Sequence, residues 1–155
     1  AALYRHFTSK EKIIIAMLEN LILQLDDLLS ALNREQSPKD RYYQYFQHLF
    51  DFFDTHKRLA DIATLDGLLG KSVVVQLTLN GISNILQKHL IPIVMDGKLS
   101  GDFPMALNAD RIIHILLGTF RFQMQKWTTS KHQFDLVRTS NDLMGSLLIL
   151  FQNQK

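Results

Sequence analysis

Six apolar residues near the start of the chain, Ile14, Leu18, Leu21, Leu25, Leu28 and Leu32, are separated by steps of 4, 3, 4, 3 and 4. That rhythm fits a helix, on which such residues form one continuous stripe, and a strand cannot reproduce it. A helix of this length with one apolar face must lie against other elements, and the rest of the chain offers mostly helices to lie against. Its start is marked by Thr8 and Ser9, both good N-caps, with Glu11 three residues after Thr8 completing a capping box. The spacing predicts a helix from about Lys10 to Glu35.

Similar punctuation recurs downstream. Ser37 as N-cap, Pro38 at the first helical position and Asp40 in the first turn open a second helix, expected over Pro38 to His56. It holds seven of the fifteen aromatic residues, from Tyr42 to Phe53, so several of its faces must be covered. A shorter amphipathic piece follows over Leu59 to Leu69, closed by Gly67 and Gly70. Gly70-Lys71-Ser72 imitates the end of a phosphate-binding loop, but Leu65 stands where that loop requires glycine and no strand precedes it.

Residues 73 to 80 send conflicting signals. Val73, Val75, Leu77 and Leu79 alternate with Val74, Gln76, Thr78 and Asn80, which is the period of a strand. A solitary strand would leave its backbone unpaired, and the helical stripe Val74, Leu77, Ile82, Ile85, Leu86 and Ile93 runs through the same stretch. A helix is therefore expected, kinked near Pro92 and ending toward Met95, with Asp96-Gly97 and Ser100-Gly101-Asp102 as a turn-rich connector. Asn108 caps a helix from Ala109 to about Lys126, and Asp135 caps a last one reaching Phe151. About seven helices, one of them the short turn from Leu3 to Phe7, and no convincing sheet make the fold class all-α.

The opening residues carry more than a helix start. The free N–H groups at the first turn, with Lys10 beside them, suit an anion such as a DNA phosphate. Residues 1 to 12 hold Arg5, Lys10 and Lys12 against Glu11, as much net charge as the +2 of the whole chain. An ordinary capped helix start with solvated charges is the alternative for Thr8, Ser9 and Lys10 taken alone. The nine-residue string Leu3-Tyr4-Arg5-His6-Phe7-Thr8-Ser9-Lys10-Glu11, however, resembles the end of the helix-turn-helix of TetR-like bacterial transcription regulators.

That resemblance implies a multi-helix core that dimerises through a C-terminal four-helix bundle, with DNA-binding residues Tyr4, His6 and Lys10. It divides the chain into a helix-turn-helix remnant, 1–12, and an effector-binding and dimerisation domain, 13–155. It also implies that two earlier helices and most of a recognition helix precede Ala1 in a longer protein, and that binding operator DNA requires them. The expected partners are a second copy of the chain, operator DNA and an apolar or aromatic small-molecule effector.

Phe46, Phe50 and Phe53 on the aromatic helix, with Phe120, Gln123, Met124 and Trp127 on a later one, are the candidates for walls of an effector pocket. A closely packed core is the other reading of the same residues. Gly118, Gly145 and Ser146 lie amid Leu, Ile and Phe on the last two helices, where small residues permit close helix approach. The resemblance makes Ile113, Leu117, Gly118, Leu143, Gly145, Leu147 and Leu150 the candidate homodimer interface.

Other chemistries find little support. The absence of cysteine excludes disulfides and thiolate catalysis and is compatible with a reducing cytoplasm. The six histidines form no short-spaced metal pair, and His114 reads as a hydrogen-bonded core or interface residue before it reads as a ligand. No nucleophile elbow or nucleotide loop is present, so no enzyme, metal or cofactor is expected, and no apolar run suits a membrane. A transcription regulator, in the mode of a repressor, controlled by an apolar effector is the leading expectation. A ligand-independent regulator acting through a protein partner and a helical carrier without a DNA role remain the alternatives.

Overall fold

The computed structural model describes residues 8–64 and 72–153. Among them are six helices: α1 (Ser9–Ser30), α2 (Pro38–Thr55), α3 (Lys57–Ala63), α4 (Val73–Ser100), α5 (Ala109–Thr129) and α6 (Leu136–Gln152). The all-α class is as expected. Leu3, Tyr4, His6 and the other residues of the opening turn, together with the Gly70-Lys71 imitation of a phosphate loop, lie outside the described residues.

The caps fall where local side chains demand them. Thr8 Oγ1 accepts from Glu11 N at 3.2 Å while Glu11 Oε2 accepts from Thr8 N at 2.8 Å, so the capping box is closed. Ser37 accepts from Asp40 N, Asn108 from Asp110 N and Asp135 from Arg138 N, each opening its helix. The helix ends differ from the sequence expectation. α1 stops at Ser30, not Glu35, with Ala31 as its C-cap and Asn33 Oδ1 turning the chain through Glu35 N.

α4 runs through Pro92 to Ser100, past the expected end at Met95. Asp96-Gly97, expected in a turn, lies inside it for tertiary reasons. Asp96 pairs with the buried guanidinium of Arg41 on α2, and Gly97 leaves room for Phe103, whose ring a β-carbon there would meet at 2.5 Å. The stop comes at Gly101, with φ of +86°, the left-handed geometry that glycine adopts without strain. The period-two pattern of residues 73–80 is helical: Val75 is buried while Val73 and Leu77 face outward.

α2 is the central helix. Its Tyr42, Tyr45, Phe46, Leu49 and Phe50 are fully or almost fully buried, and it touches α4 and α6, with lighter contacts to α1 and α3. α1 lies along α4, burying Ile14, Ile15, Leu18, Leu21, Leu25 and Leu29. α5 packs on α4, α3 and α6. The turn between α5 and α6 places Lys131 and His132 at φ of 57° and 60°, uncommon for residues other than glycine. His132 is held there, donating from Nε2 to Asp61 Oδ1 at 2.7 Å and meeting the Trp127 ring edge-on at 4.4 Å. A hydroxyl contact of 3.0 Å between Thr64 and Thr128 adds a second tie, so α3 is anchored to the end of α5.

Candidate functional site: a trough between α4 and α5

The aromatic cluster that sequence reasoning offered as pocket wall is largely the core. Phe46 and Phe50 stack against each other and against Phe120, with ring centroids 5.3 to 6.4 Å apart. Trp127 is fully buried and donates from Nε1 to the Phe134 carbonyl at 3.1 Å. Tyr42 donates its hydroxyl to the Met144 carbonyl and Tyr45 to the Leu86 carbonyl, both at 2.7 Å. Burial raises the pKa of both phenols above the ordinary tyrosine value. These hydroxyls are occupied within the fold.

An open cavity of about 640 Å³ lies instead among α3, α4 and α5, with Phe53 the one contribution from α2. Its floor is apolar: Phe53, Ile82, Leu86, Ile113, Phe120 and Met124. Its α4 rim is polar, because Gln76, Asn80, Ser83 and Gln87 recur at steps of 4, 3 and 4 and so share one edge of the helix. Asp110, His114 and Arg121 stand on the α5 side, and Ala63 of the anchored α3 with its C-cap Thr64 closes one end. The result is a trough that offers apolar surface at depth and hydrogen-bonding groups at the lip, the arrangement that receives a molecule with an apolar body and a polar end.

Of the candidate ligand residues, Phe53, Phe120 and Met124 therefore reach the trough, and Phe46, Phe50 and Trp127 are packed in the core. Gln123 looks away from it, into a second, shallower groove on the outer face of α5 and α6. The α4 contribution was missed. Its signal was present as the polar stripe from Gln76 to Gln87 in an otherwise apolar stretch, obscured at Gln76 and Asn80 by the strand-like alternation of residues 73–80.

The second groove is lined by His114, Ile115, Gly118, Phe122, Lys126 and Leu143, among others. Ile115 is 46% exposed and Phe122 66%, large apolar surfaces that no described residue covers. Of the candidate interface residues, Gly118 and Leu143 line this groove, Leu147 is half-buried on α6 and Leu150 is exposed one and then two turns further on. Ile113 and Leu117 line the trough, and a β-carbon on Gly145 would lie 3.6 Å from the Tyr43 ring, which places that glycine against α2. His114 is exposed and borders both trough and groove. Lys10 is exposed in the first turn of α1.

α4 also carries the link to α1. Lys88 and His89, next to Gln87 of the rim, both donate to Asp26 Oδ1, at 3.0 and 2.6 Å. The His89 hydrogen bond first, then that of Lys88, holds the Asp26 carboxyl below the usual carboxylate pKa. Between Asn80 and Ile82 of the trough, Gly81 faces α1 so closely that a β-carbon there would meet Ile22 Cδ1 at 2.8 Å.

Among the described residues, no group of three or more His, Asp or Glu side chains is placed to hold a metal ion. No helix among them is long and apolar enough to cross a membrane.

Residues 17–150 match the family model described as YsiA-like protein, C-terminal region. The fold is similar to a crystal structure of the transcriptional regulator FadR from Bacillus subtilis in complex with stearoyl-CoA, with a TM-score of 0.78 and 21% identity. The match covers 95% of this chain and 78% of that one. No curated protein matches the sequence.

Proposed function

The chain belongs to the TetR-like family whose model is described as YsiA-like protein, C-terminal region, and from that premise we propose that it is the effector-sensing and pairing part of a transcriptional repressor. Its effector is an amphiphile with a long apolar chain, of the class of fatty acyl thioesters. The observation that carries this reading is the trough, with its floor of Phe53, Ile82, Leu86, Ile113, Phe120 and Met124 beneath a polar lip. A wholly apolar or aromatic ligand would make no use of Asn80, Ser83 and Gln87 at the lip. A sugar or nucleotide would leave the floor unused. The similarly folded FadR is complexed with stearoyl-CoA, a molecule of the proposed kind.

The mechanism runs through α4. A ligand seated against Ile82, Leu86 and Gln87 bears on the helix that holds α1 through Lys88, His89 and the Gly81–Ile22 crossing. α1 spans the proposed boundary between 1–12 and 13–155 without a break in its described part, so a change in its tilt alters how Tyr4, His6 and Lys10 are presented to DNA. Two copies, paired through α5 and α6, set the spacing of two DNA-reading units against half-sites about one helical turn apart. The ligand acts only insofar as it prefers one tilt to the other.

The test is a thermal-shift series with palmitoyl-CoA, palmitate, flat aromatic compounds, sugars and nucleotides. A ligand preferring the folded state raises stability by about 2.7 kcal/mol at a hundred times its Kd. Palmitoyl-CoA is expected to give the largest rise in melting temperature. A rise with sugars or free nucleotides and none with either long-chain compound overturns the proposal.

A further inference from the structure

The trough and the outer groove lie on either side of α5, and the wall between them is thin at one place. His114 and Gly118 line both. A β-carbon built on Gly118 would meet no atom within 4 Å, so the wall there is backbone alone with open space beside it. We infer that the ligand site is incomplete in a single copy: a second copy seated in the groove closes the wall at Gly118, and ligand binding and self-association are linked. The inference rests on the proposed function, from which it takes both the amphiphilic ligand and the pairing through α5 and α6.

The occupant of the groove is argued from its shape. Phe122 projects from the outer face of α5, 66% exposed, one turn away from the hollow at Gly118. A two-fold interface presents the same patch on both sides, so a face carrying a knob and a hollow side by side can receive its own copy, the knob of each entering the hollow of the other. Ile115, Leu143 and the apolar surface around them line the same groove and would be covered by the same event. The aromatic ring inserted at Gly118 would then stand at the back of the trough, within reach of a ligand bound there. Linkage follows by thermodynamic necessity: if the second copy improves each site by some factor, each bound ligand must strengthen pairing by that factor, and the two ligands of a saturated dimer by its square.

The experiment combines sedimentation equilibrium with palmitoyl-CoA titration of the wild type, Phe122→Glu and Gly118→Leu. Both positions border open space, and circular dichroism confirms that each variant keeps its helices. Saturating palmitoyl-CoA is expected to lower the dimer dissociation constant of the wild type by about tenfold or more, an ordinary coupling strength. Phe122→Glu, driven to monomer, should bind palmitoyl-CoA more weakly by about the square root of that factor, roughly threefold or more, because the dimer holds two sites. In Gly118→Leu, which fills the hollow, the dimer constant should no longer respond to the compound. A monomeric Phe122→Glu that binds palmitoyl-CoA with wild-type affinity overturns this inference and leaves the amphiphile reading standing, as does a wild-type dimer constant unmoved by bound compound. A wild type that ignores palmitoyl-CoA, or that stays monomeric at every concentration, overturns both.

Discussion

α2 and α4 are both rich in apolar residues, yet they do opposite things with their polar ones. On α2 the buried Tyr42, Tyr45 and Arg41 are each tied to a partner within the chain, Tyr42 to the Met144 carbonyl, Tyr45 to the Leu86 carbonyl and Arg41 through one guanidinium nitrogen to Asp96, with only Arg41 Nε left over. On α4 the polar edge from Gln76 to Gln87 faces an open trough, and the neighbouring Ile82 and Leu86 help to floor it. The contrast explains why the aromatic run of α2 and the trough do not coincide. A run of aromatics marks where the chain fills its own interior, whereas a ligand needs apolar surface that the chain's own side chains leave uncovered.

The harshest way to break the comparison is to hollow out the α2 side. Phe50 is fully buried between Phe46 and Phe120. Phe50→Ala is expected to cost about 3–5 kcal/mol, the transfer of the ring plus the cavity it leaves. Urea unfolding measures it. A loss below about 1 kcal/mol would mean that α2 is not the tightly packed side.

A gentler probe uses the two buried phenols. Burial raises the pKa of Tyr42 and Tyr45 above the ordinary 10.0 in the folded state. Above pH 10 the unfolded chain releases these protons while the folded chain keeps them, so the stability is fully present below that pH and declines as pH rises. Each tyrosine should contribute a slope of about 1.4 kcal/mol per pH unit there. Unfolding curves at stepped alkaline pH should show the decline, and Tyr42→Phe/Tyr45→Phe should flatten it. An unchanged slope in the double variant would place the alkaline sensitivity elsewhere.

The sequence made the helices legible because their signals are local. The 4-3-4 steps of α1 and the caps Thr8, Ser37, Asn108 and Asp135 act within one or two turns, and all reappear in the structure. The errors come where distant partners decide. Asp96-Gly97 reads as a turn until Arg41 and Phe103 are in place. The site was legible in part for the same reason: Phe53, Phe120 and Met124 could be guessed as apolar residues near one another. That Trp127 is sealed by Phe134 and His132 while Leu86 lines the trough depends on how α3, α4 and α5 are set apart, which no local pattern encodes.

The smallest expected change in stability belongs to the trough lip, and it sharpens the comparison most. Asn80 and Ser83 are exposed on α4, and among the described residues no hydrogen bond employs their side chains as those of Tyr42 and Tyr45 are employed. Truncating either removes no packed volume, so Asn80→Ala and Ser83→Ala should each leave unfolding free energy within about 0.5 kcal/mol of the wild type. Binding should respond differently. A hydrogen bond from the lip to a ligand's polar end contributes about 0.5–1.5 kcal/mol, which converts to a loss of roughly twofold to tenfold in affinity for palmitoyl-CoA. Palmitate and palmitoyl-CoA compared by titration calorimetry on both variants would locate the polar end. If one variant weakens palmitoyl-CoA alone, its residue meets the part that palmitate lacks. If neither variant changes either affinity, the polar stripe of α4 is only a solvated edge, and α2 and α4 differ in packing without differing in purpose.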